Sequence, residues 1–468
     1  MELQNLLKSS QDTDKTLNLI LSEISYNYKP EYFFIFLESS QETCILKKKS
    51  DKVLDVILEI LKNSKKMLKM GSNLQENRNF TTITLRISRI ILELHEFLQK
   101  ESTLNSEIFQ ILIENTNYSS LQQGSRLLEE IVSMIYRILD QDFSDVSDSR
   151  KGALKILVKI LDKKVETVLQ DLNFLRNIIG KLKKVQEISD IYHVVKGFIR
   201  NSKGNLEEIW EIIEDSQLFK VENSRFEKEN LSVLLEFSKS LKENSLERID
   251  EEFEVIWWLK NIEWVLALVN DAEEDVRCAA LDVLSQISEK VFINIPSKLV
   301  FTLQSIGIGM LSDAKDTVRA AACGFLGVLI TFDCVQKDLL FFSDLIGKIP
   351  RITMEDEALV VKVRSSWALA NICAAFVEIR KKDLEEFSIP GGYLRKCVEA
   401  ALYSSKDKEK VYHLCSKKCR SNGVRALGNI FHVLPNEWVH SEVEGLVKEI
   451  IEVLIKSINT GPVKVIFF

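Results

Sequence analysis

The sequence predicts an all-α fold assembled from stacked helix pairs. Two observations carry that prediction: apolar residues recur at helical spacing along the chain, and a short word recurs at a period of just over forty residues in its second half. The helical spacing shows in Ile83, Ile87, Ile90, Ile91, Leu94 and Leu98, and again in Leu154, Ile156, Leu157 and Ile160. No alternating strand pattern competes. The aromatic run at 32–37 is read as buried helix, because its neighbours are helical and a solitary strand would have no sheet to join.

Taken in order, the repeats explain themselves. Val276-Arg277 is followed by Ala280 and then Val283-Leu284-Ser285; Val318-Arg319 is followed by Ala322 and then Phe325-Leu326-Gly327. Val361-Lys362 precedes Trp367-Ala368-Leu369-Ala370-Asn371, and Arg420 precedes Gly423 and Arg425-Ala426-Leu427-Gly428-Asn429. The cations Arg277, Arg319, Lys362 and Arg420 stand 42, 43 and 58 residues apart. Each unit begins with an apolar helix, such as that around Trp264 to Val269, and continues through a polar turn in which Asp or Ser can cap the next helix. A second helix opens at the cation. Small residues three and eight positions after it let neighbouring helices approach, and the Leu between them fills the core. Pro296, Pro350, Pro390, Pro435 and Pro462 are expected between helices. Stacked pairs of this length define a HEAT/armadillo-like right-handed α-α superhelical solenoid.

Two regions are expected: divergent helical repeats over 1–250 and HEAT repeats over 251–468. In the first, residues 149–154 and 223–225 look like decayed copies of the Val-Arg element; a separate helical domain is the alternative.

Composition fits such an array. The chain has 468 residues, 46% hydrophobic and 28% charged, with 17 Gly and 6 Pro, which gives it ample apolar surface to bury and few helix breakers. The formal net charge is −7 and neither half carries a basic excess, so the domain-scale positive field of a nucleic-acid binder is missing. Local lysine runs exist at 47–49, 62–69 and 181–184, interrupted by apolar residues at helical spacing, which reads as solvated helix faces. The start has neither a basic n-region nor an apolar h-region, and no stretch reaches the about 18 apolar residues of a membrane span. The 8 cysteines lack disulfide-framework density, and Cys278, Cys323 and Cys373 fall among apolar residues where a reduced thiol packs as a small hydrophobe. The expected compartment is therefore reducing: cytoplasm, nucleus or both.

Sites of chemistry are few. His413, Cys415 and Cys419 form the one metal-like run, and no fourth ligand stands near them, so no metal or other cofactor is expected. His95, His193, His432 and His440 are isolated and belong to no catalytic arrangement. Gly391-Gly392 lacks the downstream Lys-Ser/Thr of a phosphate loop, and the acidic pair Asp356-Glu357 reads as a solvated cap. No enzymatic activity is predicted. Trp257 and Trp264 share a helix face suited to core packing, whereas Trp258 must leave it and is the better candidate for a surface anchor.

The segment LSDAKDTVRAAACGFLGVL, the WALANIC block at 367–373, SSKDKEKV at 404–411 and RSNGVRALGNIFHVL at 420–434 together resemble the HEAT repeat-containing protein 6 family, over about residues 270–465. The resemblance implies an interaction solenoid with no catalytic residues to carry over. It also implies that Arg277, Arg319, Lys362 and Arg420 are structural ladder residues, with Asp271 or Asp275 and Asp313 or Asp316 as partners. Two departures are visible: eight residues, 412–419, intervene before Arg420 and are expected to extend a loop or helix, and the chain looks C-terminally incomplete.

The leading function is accordingly a scaffold that binds other proteins, taking their helices or peptides on a concave face. The alternative is an RNA- or phospholipid-binding solenoid acting through the lysine-rich helix faces.

Overall fold

A computed structural model describes residues 154, 157–158, 172–184, 188–202, 204–220, 227–244, 251–382, 391–406, 413–435, 438 and 444–460. The run at 32–37 and the lysine runs at 47–49 and 62–69 lie outside the described residues. The chain forms two compact units, Met1–Gly197 and Phe198–Phe468. Among the described residues there are helices and no strand, and the second unit is a helical-repeat array of the HEAT/armadillo type.

In the first unit, α1 (Leu172–Lys184) buries Leu175, Ile178 and Ile179, one stripe at i, i+3 and i+4. α2 (Ile188–Asn201), within which the first unit ends at Gly197, buries Ile191, Val194 and Val195 in the same manner.

The second unit continues with α3 (Leu206–Asp215) and α4 (Glu227–Asn244), then α5 (Glu251–Leu268) and α6 (Glu274–Leu284). After a short helix α7 (Glu289–Asn294) come α8 (Ser297–Met310) and α9 (Asp316–Leu329), then the short α10 (Asp333–Lys337), α11 (Leu339–Glu355) and α12 (Leu359–Lys382). The last are α13 (Gly391–Ser405), α14 (His413–Val433) and α15 (Glu444–Thr460). The second helix of each pair stacks on the next: α4 on α6, α6 on α9, α9 on α12 and α12 on α14.

The core runs along this stack. Leu284 and Leu326, which occupy the same position of successive second helices, are both fully buried. Ala280, Ala322, Gly327 and Gly423 keep the helices close. A Cβ added at Gly423 would stand 2.8 Å from both the Ala401 carbonyl oxygen and the Ser405 backbone nitrogen, so only glycine fits where α14 crosses α13.

Trp258 is not a surface anchor. It is 1% exposed, as is Trp257, and the two rings meet edge-on at 5.2 Å. Trp257 continues the aromatic cluster to Phe237 of α4 at 5.1 Å and to Trp210 of α3 at 5.3 Å. The reason is that α5 is apolar on more than one side: a helix covered on two flanks buries adjacent residues that a one-sided helix would split between core and solvent.

Pro350 also departs from expectation, lying inside α11 rather than between helices. It is buried in the apolar helix, where it forgoes one backbone hydrogen bond without ending the run. A third departure is α12 itself, a 24-residue helix long and apolar enough by composition to cross a membrane. It is packed among α9, α11 and α14, with residues such as Ala368, Leu369, Ile372 and Phe376 buried.

Candidate functional site

The polar turns before α6, α9 and α12 are built alike. Asp271, Asp313 and Asp356 each stand six residues before a cation. Each accepts the backbone N–H two residues on: Glu273 at 2.7 Å, Lys315 at 2.8 Å and Ala358 at 2.9 Å. Four residues before each cation, a carbonyl takes the cation's own N–H and closes the first helical turn: Glu273 to Arg277, Lys315 to Arg319 and Ala358 to Lys362.

This geometry places the guanidinium groups across the junctions between repeats. Arg277 donates through Nε and Nη2 to the Asp313 carboxylate, both at 3.1 Å, and through Nη1 to the carbonyls of Asp271 at 2.9 Å and Ala272 at 3.0 Å. Arg319 repeats the arrangement one unit on, with Asp356 at 2.8 and 3.1 Å and the carbonyls of Asp313 and Ala314 at 3.0 and 3.3 Å. Each guanidinium thus joins its own turn to the carboxylate of the next. Burial by itself would raise the pKa of Asp313; the Lys315 N–H and the Arg277 guanidinium outweigh it and hold the carboxyl below its usual range. For Asp356 burial is likewise outweighed, by Arg319 and the Ala358 N–H.

The other cations behave differently. Lys362 donates to the Tyr403 hydroxyl at 3.1 Å and lies 5.4 Å from the centre of that ring. Arg420 does not open a helix, because α14 begins at His413 and residues 413–419 lengthen it by about two turns. Asp275 pairs with Lys228 of α4, and Asp316 accepts the N–H of Thr317 at 2.9 Å, so neither partners a ladder arginine. Asp356, read from the sequence as a solvated cap, is the carboxylate that completes the second step.

Positions 413, 415 and 419 of the metal-like run all fall within α14. The thiols of buried Cys323 and half-buried Cys334 are not activated: desolvation, the largest effect, pushes Cys323 up to about 12 and Cys334 up to about 11. Of Lys181 to Lys184 the described feature is that they end α1.

Sequence reasoning missed a second seam, between the flanks of the second helices. Asn371 of α12 donates to the Gly327 carbonyl of α9 at 2.8 Å, and Asn429 of α14 donates to the Ala370 carbonyl of α12 at 3.5 Å. Both Asn residues stand nine positions after their cations and both carbonyls eight after theirs. Asn422 reaches the Val363 carbonyl at 3.4 Å and the Ser366 hydroxyl at 3.1 Å, and Arg425 reaches the Trp367 carbonyl at 3.3 Å and the Asn371 amide oxygen at 2.9 Å. The signal was present in the repeated Asn of the two blocks.

Above this seam α12 and α14 leave an open cleft of about 580 Å³, lined by Leu359, Val360, Val363, Arg364 and Trp367 from one helix and Lys418, Ser421 and Asn422 from the other. The spacings i, i+1, i+4, i+5 and i+8 on α12 and i, i+3 and i+4 on α14 put each set on one helix face.

No family model matches the chain. A protein of Dictyostelium discoideum, uncharacterised, is 33% identical over 164 residues, which is 35% of this chain and 10% of that protein. The chain therefore spans well under two thirds of this relative. Among solved structures, Kap121p bound to RanGTP superposes with a TM-score of 0.47 at 13% identity, over 98% of this chain and 47% of that one. An engineered protein gives 0.48 at 14% identity, over 92% and 99%.

Proposed function

We propose that this chain is a non-catalytic helical-repeat scaffold that binds other proteins, docking their helices or peptides on the solvent face of the stacked second helices. The observation that supports this most is the cleft between α12 and α14, an apolar trough edged by polar groups on a rigid, hydrogen-bonded seam. Helix pairs that stack one-dimensionally present such faces repeatedly, and extended concave surfaces are how solenoids hold partners. Within the repeat class, the four blocks from 270 onward favour the HEAT repeat-containing protein 6 family, and the reduced thiols suit the cytoplasm or nucleus. The Arg277 and Arg319 steps serve this function structurally, by fixing the angle between repeats.

Affinity purification of the full-length natural protein, with mass spectrometry at low and high salt, tests the reading. A reproducible set of proteins retained at moderate ionic strength is the expected result. Recovery of RNA or phospholipid in their place, lost steeply with added salt, would transfer the function to the lysine-rich faces.

A further inference from the structure

The cleft between α12 and α14 has a charge as well as a shape. Arg364 and Lys418 stand exposed on its two walls, and neither forms an ion pair or hydrogen bond among the described residues. Arg364 passes over Gly324, with Nη1 3.8 Å from where a Cβ would be, and the nearest carboxylate it influences is that of Asp282, two helices away. Among the described residues no acidic side chain lines the cleft.

One turn along α14 from Ser421, Arg425 lies half-buried with its Nε enclosed and without a hydrogen-bond partner. Its other contacts are neutral oxygens, and no carboxylate among the described residues pairs with it. Burial holds its pKa below the usual guanidinium range, which marks the desolvation that its surroundings leave uncompensated. Arg364, Lys418 and Arg425, none of them in an ion pair among the described residues, make a local positive field that the net charge of −7 conceals.

Between the cations the walls are apolar. Val360 is 43% exposed, Leu359 and Val363 are half-buried, and the benzo edge of Trp367 is seated against Gly327. That seating turns the pyrrole edge away from α9, and among the described residues neither the indole N–H nor the Ser421 hydroxyl has a hydrogen-bond partner.

We infer that the α12–α14 cleft recognises a short acidic segment of a partner protein in which Asp or Glu side chains flank large apolar ones. The carboxylates sit against Arg364 and Lys418, and a Leu or Phe side chain covers Val360, Val363 and Trp367. A peptide fits better than a lipid surface, because the apolar contact lies between the two cations rather than outside them, and because the unpartnered indole N–H and hydroxyl suit peptide carbonyls. The inference rests on the scaffold reading above and names the chemistry of its partner.

The test uses the full chain and a fluorescent peptide alternating Asp and Glu with Leu and Phe. Controls are the same peptide with Asn and Gln for the acids, one with Ser for the apolar residues, and phosphatidylserine vesicles. Binding of the first peptide should weaken about tenfold or more in Arg364→Glu and in Lys418→Glu, and should be unchanged in Arg351→Glu, an exposed cation of α11 away from the cleft. A peptide with Lys in place of its acids should bind the double reversal better than the native chain, which shows that the variant is folded.

Equal binding of the Asn/Gln peptide, indifference to both reversals, or vesicle binding that depends on the two cations while the peptide fails would each overturn the inference. Retention of the same partner proteins by the double-reversal chain would also overturn it and leave the scaffold reading standing. That reading falls only if the native chain retains no protein.

Discussion

Replacing Arg319 with Met removes a guanidinium that makes four hydrogen bonds, two of them across the junction between α9 and α12 to Asp356, while keeping most of its apolar stem. The Asp356 carboxylate, 10% exposed, is left with the Ala358 N–H as its remaining donor. Removing one member of a fully buried pair costs about 3–5 kcal/mol, and a hydrogen bond to a charged group about 1.5–3 kcal/mol. Because the Arg319 side chain is 20% exposed and water can reach the rim, we expect a loss of about 2–3 kcal/mol. Asp356→Asn, which still accepts from Ala358, should cost about 1–2 kcal/mol. The double variant should lose less than the sum, with a coupling of about 1–2 kcal/mol. Repeat arrays need not unfold in one step, so the assay is native-state hydrogen exchange of α9 and α12 amides beside denaturant unfolding. A coupling near zero, with neither single change moving exchange in those helices, would refute the claim that this pair fixes the junction.

Further outcomes follow from the same packing. Leu284→Ala and Leu326→Ala should each cost about 2–5 kcal/mol by denaturant unfolding, since both side chains are fully buried. Gly423→Ala should destabilise by about 1–3 kcal/mol, as its neighbours are backbone atoms that cannot yield, whereas Gly309→Ala, with nothing within 4 Å, should be neutral or stabilise by up to about 1 kcal/mol. Asp313 and Asp356 have depressed pKa values in the folded state, so their contribution is fully present above the unfolded-state value of about 4 and is lost as pH falls through the lower folded values. Unfolding followed from neutral pH to below about 4 should show that loss, and Asp313→Asn should flatten it. Cys323, buried and pushed up to about 12, should resist alkylation near neutral pH until the chain is denatured.

Much of the array was legible in the sequence because its physics is local. The spacing of Arg277, Arg319 and Lys362 follows from one helix pair per period, and Leu284 and Leu326 were identifiable as core from their offset alone. The partners were less legible. An arginine's reach of one repeat selects Asp313 and Asp356 rather than the acids nearest in sequence, and that reach depends on how steeply the second helices stack. Trp258 was misplaced because exposure of one of two adjacent residues assumes a helix covered on a single side, and α5 is covered on two. The cleft was invisible for a different reason. Its cations come from words read as a repeat element and an inserted stretch, and only the register of α14 on α12 brings Arg364 and Lys418 to one trough.

The Asn-to-carbonyl seam has a mechanical side. A side-chain amide that holds a backbone carbonyl of the next helix resists sliding along the helix axes, and such contacts join α9 to α12 and α12 to α14. At the equivalent position of α9 stands Val328, so the α6–α9 junction lacks this clasp and is bridged at its outer end by Arg277, Thr317 and Lys315. Resistance to sliding is therefore graded along the stack and greater from α9 onward, where the cleft lies. A load along the helix axes should shift α6 on α9 before it shifts α9 on α12 or α12 on α14, and the trough should keep its shape.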